Sequence, residues 1–197
     1  MIETEYDVIV AGYGPVGETC ANLLGYYGIK ALILDKEKEA YPLPRAITWD
    51  AECQRAMAHC DFSTKVKTRK IRGVDNQDAN KKSILKITMD GFDTYNYQHS
   101  ILFIHQPQFD EAHRQNAKKY KTNTIKTGNK ILGISQSDGI VGCTYKDINT
   151  GQEFETNSKY LLACDGANST IRKLNKIELK SLDAVSYTHL RAHETRT

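Results

Sequence analysis

The sequence predicts an α/β fold: a parallel βαβ unit at the start of the chain, then a strand-rich remainder. Three observations predict it. Two short apolar runs stand close together, a glycine-punctuated helical pattern joins them, and turn-bounded strand patterns recur beyond residue 130. The runs are Tyr6-Asp7-Val8-Ile9-Val10-Ala11 and Ala31-Leu32-Ile33-Leu34-Asp35. Both are nearly continuous, as strands buried on two faces are. Between them Val16, Cys20, Leu23, Leu24 and Tyr27 recur at helical spacing. They are expected to be the buried face of one helix, with Gly28 as its stop. Strand, helix and strand within about 30 residues form a βαβ unit with a right-handed crossover.

The other elements follow in order. Tyr41-Pro42-Leu43-Pro44-Arg45 is stiff and extended, because each proline restrains its predecessor. Residues 50–59 read as a helix, 61–83 are polar and ambiguous, and 83–90 alternate as a strand. An apolar run at 100–105 precedes a helical pattern at 108–120. Strands are expected at 131–135, 140–147 and 153–163, joined at Ser137-Asp138-Gly139 and Asn149-Thr150-Gly151, both turn-forming sequences.

Composition narrows the function classes. The chain has 197 residues, 26% charged and 40% hydrophobic, an ordinary globular mix with room for a real core. Its charge of +3 comes from 27 basic against 24 acidic residues. No basic stripe interleaves with aromatics, so no nucleic-acid partner is expected. No apolar run approaches the ~18 residues of a membrane span, and the opening Met1-Ile2-Glu3-Thr4-Glu5 is acidic where a signal peptide is basic. The five cysteines form no CxxC pair, so neither a zinc site nor a disulfide framework is signalled. A reducing cytoplasm is the expected setting. His59, His99, His105 and His113 lack metal-ligand spacing and no GxSxG occurs, so neither a metal site nor a serine-hydrolase nucleophile is expected. Cys164 reads as a small buried residue.

Residues 184–195 read AVSYTHLRAHET, which resembles the translation of a sequencing adaptor. It has no amphipathic period and carries His189 and His193. The expectation is a non-native tail over 184–197 and a native part over 1–183, with the start of a second-domain sheet at about 76–105.

The first chemical signal is Gly12-Tyr13-Gly14-Pro15-Val16-Gly17. This GxGxxG follows a strand and opens a helix, the context that makes it a dinucleotide turn. Gly12 permits the tight turn, Gly14 lets backbone approach a pyrophosphate, and Gly17 lets helix pack on sheet. The helix N-terminus presents amides to the phosphates, and Pro15 in the first turn sacrifices no bonded N–H. Asp35, about 20 residues on, is placed to accept hydrogen bonds from a ribose diol. The turn does not separate FAD from NAD.

A second constellation does. Tyr160-Leu161-Leu162-Ala163-Cys164-Asp165-Gly166-Ala167-Asn168-Ser169-Thr170-Ile171-Arg172 runs from an apolar strand through Asp-Gly into a small-residue turn. It resembles the Asp-Gly motif of the group A flavoprotein monooxygenases, the FAD-dependent aromatic hydroxylases. Arg45 matches the arginine after the second strand in phenol-hydroxylase-like and 3-(3-hydroxyphenyl)propionate-hydroxylase-like members. His105-Gln106-Pro107 resembles their Gln-Pro segment before a helix. The matches come in family order over residues 6–173.

The resemblance implies a Rossmann-like FAD-binding domain of the glutathione-reductase type, truncated, with part of a β-rich substrate domain. By its motifs Gly12, Gly14, Pro15, Val16 and Gly17 would hold the FAD pyrophosphate, and Asp35 with Lys36 the adenosine side. Arg45 and Gln106 would lie along the ribityl or phosphate side. Asp165 and Gly166 would support FAD and its encounter with NAD(P)H, and Ser169 and Arg172 would brace that turn. Plain alternatives stand beside these roles. For Arg45 and Arg172 the lesser alternative is a surface charge, for Gln106 a polar helix start and for Asp165-Gly166 an ordinary turn; Ser169 reads equally as an N-cap. There are departures: Asp35 and Lys36 stand where Glu and Arg are frequent, and the family's later Gly-Asp motif is absent.

The implied chemistry is that NAD(P)H reduces FAD, O2 adds to give a C4a-hydroperoxyflavin, and a small phenolic ring is hydroxylated. The cofactor carries this chemistry while the protein orients and desolvates it. No catalytic residue is identified. The alternatives are another FAD-fold oxidoreductase, reductase or halogenase-like, and a non-catalytic flavin-binding module.

Overall fold

A computed structural model describes residues 4–43, 48–60, 62, 66–89 and 101–180. In chain order the elements are β1 (Tyr6–Ala11), α1 (Pro15–Tyr26), β2 (Ala31–Asp35), β3 (Thr48–Asp50), α2 (Ala51–Ala58), β4 (Arg69–Lys70), β5 (Gly73–Gln77) and β6 (Ser83–Thr88). Then come β7 (Ile101–Phe103), α3 (Gln106–Ala117), β8 (Asn123–Thr127), β9 (Asn129–Ser137), β10 (Ile140–Asp147), β11 (Glu153–Ala163) and α4 (Thr170–Leu174).

The apolar runs of β1 and β2 sit inside a six-stranded sheet ordered β8-β2-β1-β11-β10-β9. β1 pairs in parallel with β2 and with β11, and β2 with β8. The β9–β10–β11 portion is antiparallel. Both faces of β1 and β2 are covered, which is why their sequences lack alternation. Ile9, Ala11, Leu32 and Leu34 join Ile131, Tyr145 and Ile171 on one side. Val8, Val10, Ala31 and Ile33 join Tyr13, Ala21 and Ala117 on the other. Each fully buried Leu or Ile contributes about 1.5–3 kcal/mol. The register pairs Ala11 with Ala163, so β1 and β11 end level and both chains emerge at the same sheet edge.

Helix α1 corrects the sequence reading. Val16 is 64% exposed and Tyr27 65%, while Cys20, Leu23 and Leu24 are only half-buried. The buried face is Gly17, Glu18, Ala21, Asn22 and Gly25. The reason is close approach. A β-carbon on Gly25 would come within 2.5 Å of the Tyr120 ring, so the side pressed to its neighbours must be small or polar. The apolar residues are left flanking it.

Two strands lay outside the expected set, β3 and β8, with β4 and β5 in the ambiguous stretch. β8 has one apolar side chain, Ile125, and is a strand because β2 offers it a parallel partner through Ala31↔Asn123 to Asp35↔Thr127. α3 starts at Gln106, with Pro107 in its first turn. Asp50 caps α2 by accepting from Cys53 N–H at 2.8 Å. Both expected turns form: Asp138 and Gly139 take φ of 51° and 76°, and Gly151 takes 75°, as tight hairpin connections require. β3, β7 and β4 make a small antiparallel sheet and β5–β6 a separate hairpin. Arg45, with 44–47, and the tail at 184–197 lie outside the described residues. Among the described residues no helix is long and apolar enough to cross a membrane.

Candidate dinucleotide-binding site

Two turns meet at the shared edge of β1 and β11. Gly12 leaves β1 with φ +99° and donates its N–H to the Leu34 carbonyl at 2.7 Å. A β-carbon there would lie 2.7 Å from the Cys164 carbonyl carbon and 2.9 Å from the Asp165 Cα. Glycine is therefore required twice, by conformation and by the neighbouring chain. Cys164 N–H in turn donates to the Ala11 carbonyl at 2.7 Å. A β-carbon on Gly17 would strike the Gly12 carbonyl, so Gly17 lets α1 close onto the turn. The glycine-rich and Asp-Gly segments, far apart in sequence, are in van der Waals contact.

Gly14 has a different role. It is the N-cap of α1, with no side-chain cap, and nothing lies within 4 Å of where its β-carbon would be. The approach to the uncapped first turn is thus free of side chain at Gly14, an arrangement that favours an anion. Pro15 and Val16 are exposed beside it.

Asp35 ends β2 with both carboxylate oxygens on backbone donors. Oδ2 accepts from Tyr13 N–H at 2.7 Å and Oδ1 from Glu37 N–H at 2.8 Å. It braces the glycine-rich turn, and each oxygen keeps a second lone pair. Lys36 is exposed and lies 3.8 Å from the Glu37 carboxylate, a pair worth little at a surface. A cavity of about 690 Å³ opens nearby, lined by Tyr13, Lys38, Tyr41, Arg114, Ile125 and Thr127 among others.

In the second turn Asp165 Oδ2 accepts from Thr170 and Ile171 N–H at 2.6 and 3.1 Å, holding the start of α4. Its Oδ1 is buried without a hydrogen-bond partner. Gly166 is exposed at φ +80°, with open space around it. Ser169 caps α4 by accepting from Arg172 N–H at 2.9 Å. Arg172 does not brace the turn: its guanidinium donates onward to the Ile177 carbonyl at 3.1 Å. Gln106 is buried at the start of α3 and donates to Asp110 Oδ2 at 3.3 Å. Cys164 is half-buried, less enclosed than its sequence setting suggests.

These features fit a diphosphate-bearing cofactor on two counts: an uncapped helix start under open space, and a buried carboxylate oxygen waiting for a donor. The family model described as FAD binding domain matches residues 5–192. The chain belongs to the FAD binding domain family. It is 29% identical over 174 residues to the 3-(3-hydroxy-phenyl)propionate/3-hydroxycinnamic acid hydroxylase of Comamonas testosteroni, covering 87% of this chain and 29% of that protein. It is 25% identical to the para-nitrophenol 4-monooxygenase of Pseudomonas sp. strain WBC-3, covering 87% of this chain and 43% of the relative. The crystal structure of p-nitrophenol 4-monooxygenase PnpA from Pseudomonas putida DLL-E4 superposes with a TM-score of 0.79 at 24% identity, over 92% of this chain and 46% of that one. The flavin-dependent monooxygenase PieE, in complex with FAD and substrate, gives 0.71 at 17% identity, over 89% and 32%. These two likenesses establish the fold. The chain spans well under half the length of the curated relatives it matches.

Within this FAD binding domain, one group of residues was not singled out from sequence: the polar seam between α1 and α3. Glu18 is fully buried and takes Arg114 Nε at 2.7 Å, while Arg114 Nη2 also donates to the Tyr13 carbonyl inside the glycine-rich turn. The Arg114 guanidinium lies 4.7 Å over the Tyr13 ring. Asn22 Nδ2 donates to the His113 carbonyl at 3.1 Å, and Asn116 Nδ2 to Asn22 Oδ1 at 2.7 Å. Burial outweighs the arginine and pushes Glu18 up to about 8. Burial also raises Asp110 and drops His113, packed on Phe62 and Phe109, to about 4. The available signal was the i, i+4 pair Glu18 and Asn22 running beside Gly17, Ala21 and Gly25: polar groups on a small-residue face belong to an interface.

Proposed function

We propose that this chain is the N-terminal portion of an FAD- and NAD(P)H-dependent monooxygenase that hydroxylates a small phenolic compound with O2. The observation that carries the reading is the contact of Gly12 with Cys164 and Asp165, which puts both cofactor-type turns at one sheet edge. The names of the relatives, aromatic hydroxylases and monooxygenases, point the same way. So does a probable NADH-specific resorcinol 4-hydroxylase of Rhodococcus jostii, 26% identical. The five cysteines, none in a disulfide, support a reducing cytoplasm as the setting.

In this reading the glycine-rich turn from Gly12 to Gly17 holds the pyrophosphate through the amides of Gly14, Val16 and Gly17, since those of Gly12 and Tyr13 are taken by Leu34 and Asp35; Gly14 leaves the approach open and Pro15 and Val16 form its rim. Asp35, kept in place by its two backbone donors, offers its remaining lone pairs to the ribose, with Lys36 beside it. Asp165 accepts a cofactor hydroxyl on Oδ1 while Oδ2 holds α4, and Gly166 keeps that approach free of side chain. Arg45 and Gln106 complete the ribityl and phosphate side, Gln106 by ordering the start of α3. FAD, once bound, supplies hydride acceptance and oxygen activation; the chain binds, orients and excludes water.

The test uses the protein at the length of its relatives. NAD(P)H consumption is followed with and without phenols, and products are identified. Phenol-stimulated consumption with a hydroxylated product is expected. Consumption without oxygen insertion would replace the reading with a reductase, and no turnover would replace it with a binding module. Gly14→Ala checks the site itself. It should weaken FAD binding at least about tenfold while costing no more than about 1 kcal/mol of stability, because the fold leaves room for the methyl group. Unchanged FAD affinity would move the pyrophosphate elsewhere. The 197-residue chain alone is expected to turn over no phenol.

A further inference from the structure

Cys20 and Cys164 are 144 positions apart in sequence, yet their sulfurs lie 3.9 Å from each other. Cys20 is in the second turn of α1. Cys164 follows β11 and is anchored there by its N–H bond to Ala11. Both are half-buried, and so within reach of a small solute. A β-carbon on Gly17 would lie 3.6 Å from the Cys164 Cβ, so the pair sits directly beneath the glycine-rich turn. The other thiols are placed differently. Cys60 and Cys143 are buried and Cys53 is exposed on α2. Burial raises Cys60 and Cys143 to about 11. The hydrogen bond from Cys164 draws Cys20 down to about 7, and Cys164 is raised correspondingly. One member of the pair is therefore a ready nucleophile and the other a protonated neighbour in position to resolve it.

We propose that Cys20 and Cys164 form a peroxide-driven, reversible disulfide that staples α1 to the Asp-Gly turn under the phosphate-binding turn. The oxidant is hydrogen peroxide. The Cys20 thiolate attacks one peroxide oxygen; an S–O bond forms, the O–O bond breaks, and the departing hydroxide takes a proton to become water. The Cys164 sulfur, giving up its proton, then attacks the Cys20 sulfur. The S–S bond forms, the S–O bond breaks, and hydroxide with that proton leaves as a second water. Two thiols lose two electrons in all and one peroxide is reduced to two waters. The sulfurs must close from 3.9 Å to about 2.05 Å. A dithiol reductant restores the pair.

The proposal stands apart from the assigned reaction and is tested on thiol chemistry alone. The reduced full chain is treated with one equivalent of hydrogen peroxide, the remaining thiols are blocked with N-ethylmaleimide, and peptides are mapped without reduction. One cross-linked species joining the Cys20 and Cys164 peptides is expected, lighter than the reduced pair by about 2 Da and lost on dithiothreitol treatment. Its rate of formation should rise as pH passes about 7. It should persist in Cys53→Ser and vanish in Cys20→Ser and in Cys164→Ser. Recovery of both cysteines as maleimide adducts, as separate sulfinic acids, or linked to Cys53 would overturn the proposal. The wild-type map decides this even if a variant folds poorly.

Discussion

The centre of the main sheet and the β5–β6 hairpin are both built of paired strands, and they differ in everything else. Ile9, Val10, Leu32 and Ile33 have no exposed surface, and their strands end at the candidate site. Every residue of β5 and β6 is exposed, Ile84 at 72%, and no candidate site residue lies there. Pairing with one alternating strand is enough to make a hairpin. A rigid site needs strands packed on two faces, with chain ends held level by parallel register. The candidate site therefore hangs from β1 and β2, whose sequences alternate least because both their faces are packed.

Substitutions can break or sharpen this contrast. The largest effect is expected at the α1–α3 seam. Arg114→Ala removes the partner of Glu18 and the donor to the Tyr13 carbonyl, at a cost of about 3–5 kcal/mol near pH 8, read as a lower urea midpoint. The cost should shrink on acidification. Glu18 has a raised folded pKa, so its contribution is complete below its ordinary value of 4.5 and is lost as pH rises towards about 8; removing Arg114 deepens that loss. His113 has the opposite sign. Its folded pKa is lowered from 6.5 to about 4, so its stabilisation holds above 6.5 and is lost as pH falls through that window. The loss is on the order of 3 kcal/mol, and His113→Leu should flatten this acid limb in a melting series. Gly25→Ala, pressed on Tyr120, should cost about 1–3 kcal/mol by overpacking. Ile84→Thr in the hairpin should change the midpoint by no more than about 0.5 kcal/mol. A large loss there would mean that the hairpin is covered after all.

Much of this architecture is legible in the chain itself. β1, α1, β2 and the three strands from β9 to β11 announce themselves through apolar runs and turn residues, and both glycine-bearing turns are recognisable by composition. What escapes notice depends on partners. β8, with Ile125 as its one apolar side chain, becomes a strand only because β2 has a free edge. The buried face of α1 is misread because the usual rule equates burial with apolar character, whereas here closeness demands glycine and alanine and the flanking polar groups find donors on α3. Asp35 and Asp165 stand out in the sequence by position, but their capping and bracing bonds to Tyr13, Thr170 and Ile171 are properties of the folded turns.

Arg114 grips the Tyr13 carbonyl and the Glu18 carboxylate at once, and Tyr13 sits between Gly12 and Gly14. Helix α3 is thereby geared to the glycine-rich turn: an axial slip of the helix cannot occur without dragging the anion-facing amides with it. Glu111 and Lys118, exposed on that helix and at its end, line the cavity together with Tyr13 and Arg114, so anything lodged there meets both partners of the linkage at once.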